Sequence, residues 1–410
     1  MFGFFKKKEK EKVYSLTDLA EEIIAESSLR FPDSEFIYDE PDNTVKSTDG
    51  NGIQTFLGNI FNQLKTMSAE ERSIYIKDFL DTATRGTDNL TLDILNNALL
   101  IRVRTQAEIG NRDLMVNQMA DSHEYFSVAL GELLFDLSVD YGNSISTPQK
   151  DKLIELTGSG ETALGLALRN VQSISDDDPW DQIEPHIWKS KYEDDYDAAR
   201  LVGLYPKYPL PEGVENFIAY MPSHNVCVIT DSDDVTVLQR LLEIGGELAG
   251  EARQLSVGLW MYKNGGWYPL SLDVGHPAFS IANFQKLNDI ATGYSEQQHH
   301  LETMFDKNGT DIFVASVQAF QEKDGGRVSS YSVLSFDVET LLPQTEKVAI
   351  VDPSQPEESQ FLGMMSWDEF SGLIGADKLK EYKSLVPVRY DFTKTLTEAD
   401  FQKIRQYFAS

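Results

Sequence analysis

A single cysteine, Cys227, stands in 410 residues, so no intrachain disulfide can hold this chain together. The chain is long enough to bury a core without such staples, and a reducing compartment, the cytoplasm, is the expected home. Long apolar runs are also missing. None approaches the roughly eighteen residues that cross a bilayer, and the opening "MFGFF" is followed by lysines where a signal peptide would continue apolar. No transmembrane segment and no export signal are expected. Basic residues are scarce, 36 Lys and Arg against 66 Asp and Glu, for a net charge of −30. Nucleic acid is therefore not an expected partner, because phosphate-binding surfaces need clustered cations.

The charge that is present is unevenly spread. Residues 1–12 carry five Lys against two Glu and read as a basic flexible tail; the membrane-surface alternative would rest Phe2, Phe4 and Phe5 among lipid headgroups. Residues 276–410 carry 12 basic and 20 acidic residues, which leaves −25 on residues 13–275. A positively charged partner would meet that larger region.

Local patterns predict an α+β chain of two domains, with mixed or antiparallel sheets and packed helices. "SLTDLAEEIIAES" has helical apolar spacing behind a Ser15 cap with Asp18, and Ser68 with Glu71 opens a second helix. "EFIYDEPDNTVKSTDG" reads as two short strands about a turn, "YFSVALGELLFDLSVDYG" as strand, and Thr147 followed by Pro148 as the start of another helix. "VENFIAYM" and "NVCVITD" form a strand pair before the helix "VTVLQRLLEIGGELAGEA". Asn264-Gly265 then marks a tight hairpin. Strand, strand and helix recur in that order, suggesting an old duplication. A boundary is placed at "DVGHPAFSIANFQ", dividing residues 13–275 from a smaller α+β domain, 276–410. In the latter, a hairpin about "QEKDGG", strands at "KVAIVD", "QFLGMM" and "SLVPVRYDF", a Ser366/Glu369-capped helix ending at Gly375 and a Thr397-capped helix are expected.

Four segments invite a chemical reading. His224 lies three residues before Cys227, but that spacing does not bring two side chains to one face of a pleated strand, and the acids of "DSDD" have a helix to cap. Cys227 is expected as core packing in a setting with no positive charge to stabilise a thiolate. "GSGETA" (Gly158, Gly160, Ala163) matches a loose dinucleotide fingerprint, but the preceding "PQKDKLIEL" is helical, so a break between helices is expected. Glu296, His299 and Glu302 share a helix face without the second Glu-x-x-His of a di-iron site. In "DKNGTD" the glycine falls at the fourth position of a calcium loop that requires it at the sixth, so a turn is expected. No catalytic residue, metal site or cofactor is assigned.

The most unusual segment is "SDDDPWDQIEPHIWKSKYEDDYDAAR". From Asp176 to Asp197 it holds nine acids against two lysines, interleaved with Trp180, Trp188, Tyr192 and Tyr196. Asp176, Asp177 and Asp178 with those four aromatics are the candidate binding residues, acids selecting a basic protein and rings anchoring it. The competing reading tucks the rings against the core.

Within that segment "DDYDAARLV" resembles the D-x-Y-D-A-[AS]-R stretch of the YtpQ-like family of bacterial proteins. "EFIYDEPDNTVKSTDG", "ALRNVQ", "YMPSHNVCVITD" and the hairpin through "GWYPLSL" fall in matching order, so the resemblance covers residues 13–275. It implies an α+β fold in a bacterial cytoplasm and brings no reaction, cofactor or catalytic residue. The expected function is binding of a basic protein partner, with immunity or inhibition of a basic toxin as one specific form. The alternative is a hydrolase or metal-dependent enzyme whose ligands are dispersed along the chain.

Overall fold

The structure, a computed structural model, describes residues 14–409 apart from 41–42, 49–53, 85–89, 117–123, 131–132, 143–144, 193, 205–206, 251–254, 256–257, 322–326 and 393–394. The basic tail 1–12 lies outside them. The fold is α+β, and contacts divide the chain into two compact units, Met1–Leu99 with Ser138–Pro148, and Leu100–Leu137 with Gln149–Ser410.

The first unit begins with α1 (Leu16–Arg30), closed at its start by a reciprocal Ser15/Asp18 capping box. Strands β1 (Phe36–Asp39), β2 (Thr44–Ser47) and β3 (Gln54–Phe56) form an antiparallel sheet in that order, followed by α2 (Leu57–Leu64), α3 (Ala69–Thr84) and α4 (Leu92–Ala98). Ser68 and Glu71 cap α3 as expected. Leu19 and Ile23 of α1 are fully buried against Leu57, Leu64 and Leu80. At about 1.5–3 kcal/mol for each such side chain, this apolar cluster is the main local stabilisation.

The chain passes into the second unit along β4 (Leu99–Thr105), followed by α5 (Gln106–Val116), β5 (Ser127–Leu130) and β6 (Leu133–Asp140), with β4, β6 and β5 side by side. The last residues of β6 pair with β7 (Ile145–Ser146). Helices α6 (Lys150–Thr157) and α7 (Gly160–Ser173) come next. The helix expected to start at Thr147 starts at Lys150, because Gln149 is still held in an antiparallel bridge to Tyr125 and Lys150 N donates to Glu124 O. Between α6 and α7 Gly158 takes a left-handed conformation and the Ser159 hydroxyl accepts from Thr162 N, so "GSGETA" is a break between helices.

A six-stranded antiparallel sheet comes after α7, in the order β13-β12-β10-β11-β9-β8. Its strands are β8 (Trp180–Glu184), β9 (Ile187–Ser190), β10 (Phe217–Ser223), β11 (Val226–Thr230), β12 (Leu259–Lys263) and β13 (Gly266–Leu270). Each hairpin is followed by a helix: α8 (Asp197–Leu204), α9 (Val235–Ala249) and α10 (Phe279–Asn308). The strand-strand-helix unit therefore occurs three times. Asn264 and Gly265 both have positive φ, 54° and 83°, the backbone that a two-residue turn of this hand demands. Leu238, Leu241 and Leu242 of α9 pack on Ile218, Tyr220 and Val228 of the sheet. Gly245 permits that approach, since a Cβ there would come within 2.4 Å of Tyr220 Cδ1.

The 30-residue α10 is legible in the sequence only as a short face around Glu296 and His299. It packs on α5 and α9 and also on strands C-terminal to it, and the boundary expected between residues 275 and 276 lies inside the second unit, just before α10. Beyond its end at the left-handed Gly309 lie β14 (Phe313–Val314), β15 (Gln318–Gln321), β16 (Val328–Ser335), β17 (Thr340–Pro343), β18 (Lys347–Val351), β19 (Phe361–Ser366), α11 (Trp367–Ile374), β20 (Arg389–Asp391) and α12 (Glu398–Ala409). They make one sheet ordered β15-β16-β18-β19, with β16 and β18 parallel, and a smaller one ordered β14-β17-β20. Phe336, Phe370 and Ile404 are buried in a shared core.

Candidate functional site

Strand propensity places "NVCVITD" in β11, and there Cys227 is fully buried. Burial holds its thiol well above the usual range, the opposite of what a nucleophile needs. His224, in the β10–β11 turn, is also buried, and its Nε2 lies 3.4 Å from Glu108 Oε1 on α5. Burial lowers the imidazole pKa, against the pull of the Glu108 carboxylate. The pair continues into a charge network: Arg104 reaches Glu108 at 3.4 Å and Asp136 at 3.1 Å, and Arg112 Nη1 meets both Asp136 oxygens at 3.0 Å. Asp136, with no exposed surface, is thus clamped by two guanidinium groups.

"DDYDAAR" forms the turn into α8 and its first residues; Asp197 and Arg200 are buried, while Asp194 and Asp195 stay partly exposed. Arg200 is completely buried; it donates twice to Asp194, once to Ser175 Oγ at 3.2 Å and once to the Ile174 carbonyl at 3.1 Å, with its guanidinium carbon 3.7 Å from the Tyr192 ring centre. Asp197 accepts from Ser190 Oγ at 2.6 Å through one oxygen, while Oδ2 is buried without a partner. Burial pushes its carboxyl up to about 7, the Asp194 charge adding to the effect and the Ser190 hydrogen bond opposing it. An Asp and an Arg three apart on a helix, separated by two alanines, was the available signal for this pair.

The seven candidate binding residues lie along one hairpin and the turn after it, and they divide by direction. Asp176, Asp177 and Asp178 are exposed just before β8. Trp180 is buried, its Nε1 donating to Pro209 O at 2.9 Å and its ring edge-on to Tyr208. Trp188 is half-buried opposite Ile229, Tyr192 lies under Arg200, and Tyr196 is buried with its N–H donating to Asp194 at 3.0 Å. Two of the four rings therefore pack inward, and the outward chemistry of the segment is acidic. Lys191 pairs with Asp178 at 2.8 Å and approaches Asp181 at 3.8 Å.

Among the described residues no three His, Cys, Asp or Glu side chains come together as a metal-binding set. Glu296 is engaged by Asn111 Nδ2 at 3.3 Å across the α5–α10 contact. Among the described helices none is long and apolar enough to cross a membrane. No protein-family model, curated protein or solved structure matches this chain.

Proposed function

We propose that the protein acts by binding a basic protein partner along the acidic edge formed by β8 and the residues leading into it. The observation that carries this reading is the position of β8 at the end of the six-stranded sheet, with Asp181, Gln182 and Ile183 exposed in succession. An edge strand leaves a row of main-chain donors and acceptors open to a further strand. Residues 176–184 carry five acids and no base. A second copy of the same edge would be repelled, and an extended segment bearing Lys or Arg would be attracted. Immunity or inhibition toward a basic toxin is one specific form of this reading, supported by the net charge of −30 and the acidic segment alone.

The test uses a labelled peptide of alternating Lys and Val, together with the same peptide N-methylated along one edge of its backbone. Association of the unmodified peptide should slow as salt rises, since exposed charges are screened beyond about 8–10 Å in ordinary buffers. Joint replacement of Asp176, Asp177 and Asp178 by Asn should lower the on-rate more than it changes the off-rate. The N-methylated peptide, equal in charge, should bind far more weakly. Equal binding of both peptides, or of both protein forms, would remove this edge as the binding surface.

A further inference from the structure

Strand β19 closes the sheet ordered β15-β16-β18-β19 and pairs on one side only, antiparallel to β18. Residues 327–392, which hold both strands and their flanks, are all described. Hydrogen bonds at the two ends fix the direction of the β19 main chain: Trp367 N donates to Glu346 O at 3.0 Å, and Asp352 N donates to Gln360 O at 2.8 Å. Opposed residues of an antiparallel pair alternate between bonded and non-bonded. Met364, opposite Ala349, and Phe361, opposite Val351, therefore turn their N–H and C=O away from β18. A bulge at Leu362 sets these two residues three apart. Ser366 N, on the same outer side, is taken by the Glu369 carboxylate of the α11 cap. Among the described residues no group bonds to the outward main chain of Phe361 or Met364.

Native sheets guard such borders with charge or proline. The six-stranded sheet does so at both, with Asp181 and Glu184 in β8 and Pro269 in β13. β19 reads FLGMMS and has neither. Phe361 is 57% exposed, and Met364 is half-buried on the face opposite the core that takes Met365. An apolar border left open is where an extended peptide adds a strand.

The charges around β19 select the occupant. Residues 352–377 carry six acids and no base. Glu357 and Glu358 stand exposed before the strand, and Asp368 after it. A second copy pairing antiparallel through the same border, Phe361 against Met364, would set Glu357 against Asp368, acid against acid. The β8 border of a second copy would bring Asp181 and Glu184 to the same place.

We propose that β19 takes up an extended segment of another protein, apolar where it passes Phe361 and Met364 and bearing Lys or Arg on both flanks. Its main chain bonds to those two residues, an apolar side chain covers the Phe361 ring, and its basic flanks meet Glu357, Glu358 and Asp368. This border belongs to a different sheet from β8 and uses none of the β8 acids.

The probe is the peptide Lys-Lys-Thr-Val-Ile-Val-Lys-Lys, compared with the same peptide N-methylated at its four central residues and followed by NMR on the full chain carrying methyl-labelled methionine. The Met364 signal should shift on titration, and the signal of Met221, buried in the other sheet, should not. The N-methylated peptide, equal in charge, should bind about tenfold or more weakly, because its main-chain donors are gone. Met364→Pro removes an outward N–H and leaves the bonds to β18 in place, so it should weaken the peptide to a similar degree. Phe361→Lys, at an exposed position, should do the same by repulsion, with melting temperature reporting that both variants are folded. A peptide that binds without shifting Met364 sits elsewhere and overturns this assignment while leaving the β8 reading untouched. So do unchanged binding to folded Phe361→Lys, and no shift at millimolar peptide. Dimerisation that Phe361→Lys abolishes would give the border to a second copy, and tighter peptide binding on deletion of residues 2–12 would give it to the chain's own tail; either result overturns the proposal.

Discussion

Arg200 holds Asp194 in a two-pronged ion pair, Nη1 to Oδ1 at 2.6 Å and Nη2 to Oδ2 at 2.7 Å. The other donors of this buried guanidinium are directed at Ser175 and Ile174, which ties the end of α7 to the start of α8. A lysine has neither the fork nor the planar face that lies on Tyr192. Asp194 itself keeps contact with solvent, so Arg200→Lys is expected to lose about 1.5–3 kcal/mol of stability, the range for hydrogen bonds to a charged group, read as a lower urea midpoint with unchanged slope.

Asp136, clamped by Arg104 and Arg112, should respond to the loss of its charge by a larger amount. Asp136→Asn leaves two buried or half-buried guanidinium groups without their shared carboxylate, and a fall of about 3–5 kcal/mol is expected. A midpoint equal to that of the wild type would show that the network contributes nothing.

Asp197 sets a pH dependence of unusual sign for a carboxylate. Its folded pKa, about 7, lies above the unfolded value near 4, so between these values the folded state holds more protons than the unfolded one. Stability from this group is greatest below about pH 4 and declines up to about pH 7. Asp197→Asn should remove that slope, stabilising the protein at pH 8 by up to about 4 kcal/mol relative to its effect at pH 4. His224 works in the other direction: with its folded pKa lowered, stability falls as pH drops below about 6.5. The two are separated by measuring urea midpoints across pH in Asp197→Asn and His224→Gln.

Cys227, fully buried and with its thiol pushed up, should resist a thiol reagent in the native protein and react at once in denaturant. Cys227→Ser should lower the melting temperature, since it places a hydroxyl where a small apolar group packs. Rapid native labelling would contradict the packing assignment.

Limited proteolysis should find the stretch before α10, where Val274 is 65% exposed. The fragments should stay together until denatured, because α10 buries Leu287, Tyr294, Leu301 and Phe305 against its neighbours. Separation of two folded pieces on a sizing column would restore an independent domain beginning near residue 276.

What could be read from the sequence was what is decided locally. Ser15 with Asp18, Ser68 with Glu71, Ser366 with Glu369 and the Asn264-Gly265 turn each fix their own backbone within four residues, and all stand where expected. The long α10 was hidden because its buried positions include Gly293 and Gln297 among the apolar ones, so no clean stripe marks it. The buried charges were hidden for a different reason. Glu108 and His224 are 116 residues apart and Arg389 meets Gln297 across 92, distances over which a single sequence carries no pairing signal. The acids 176–178 were legible as a surface; that Trp180 and Tyr196 turn inward depends on Pro209, Tyr208 and Asp194, which only the fold brings near.

The strand order of the six-stranded sheet has a bearing on synthesis. β8 pairs with β9, β9 with β11, β10 with β11 and β12, and β12 with β13, so every strand finds its neighbours no more than two strands away along the chain. As the chain leaves the ribosome, the sheet can lengthen hairpin by hairpin in the order of translation, and no early strand waits for a distant one. β8, the first strand of this sheet to be released, remains at one of its two borders, with β13, the last, at the other. Wherever two nascent chains come close, the five acids of residues 176–184 set like charge against like charge, which disfavours pairing of two such edges.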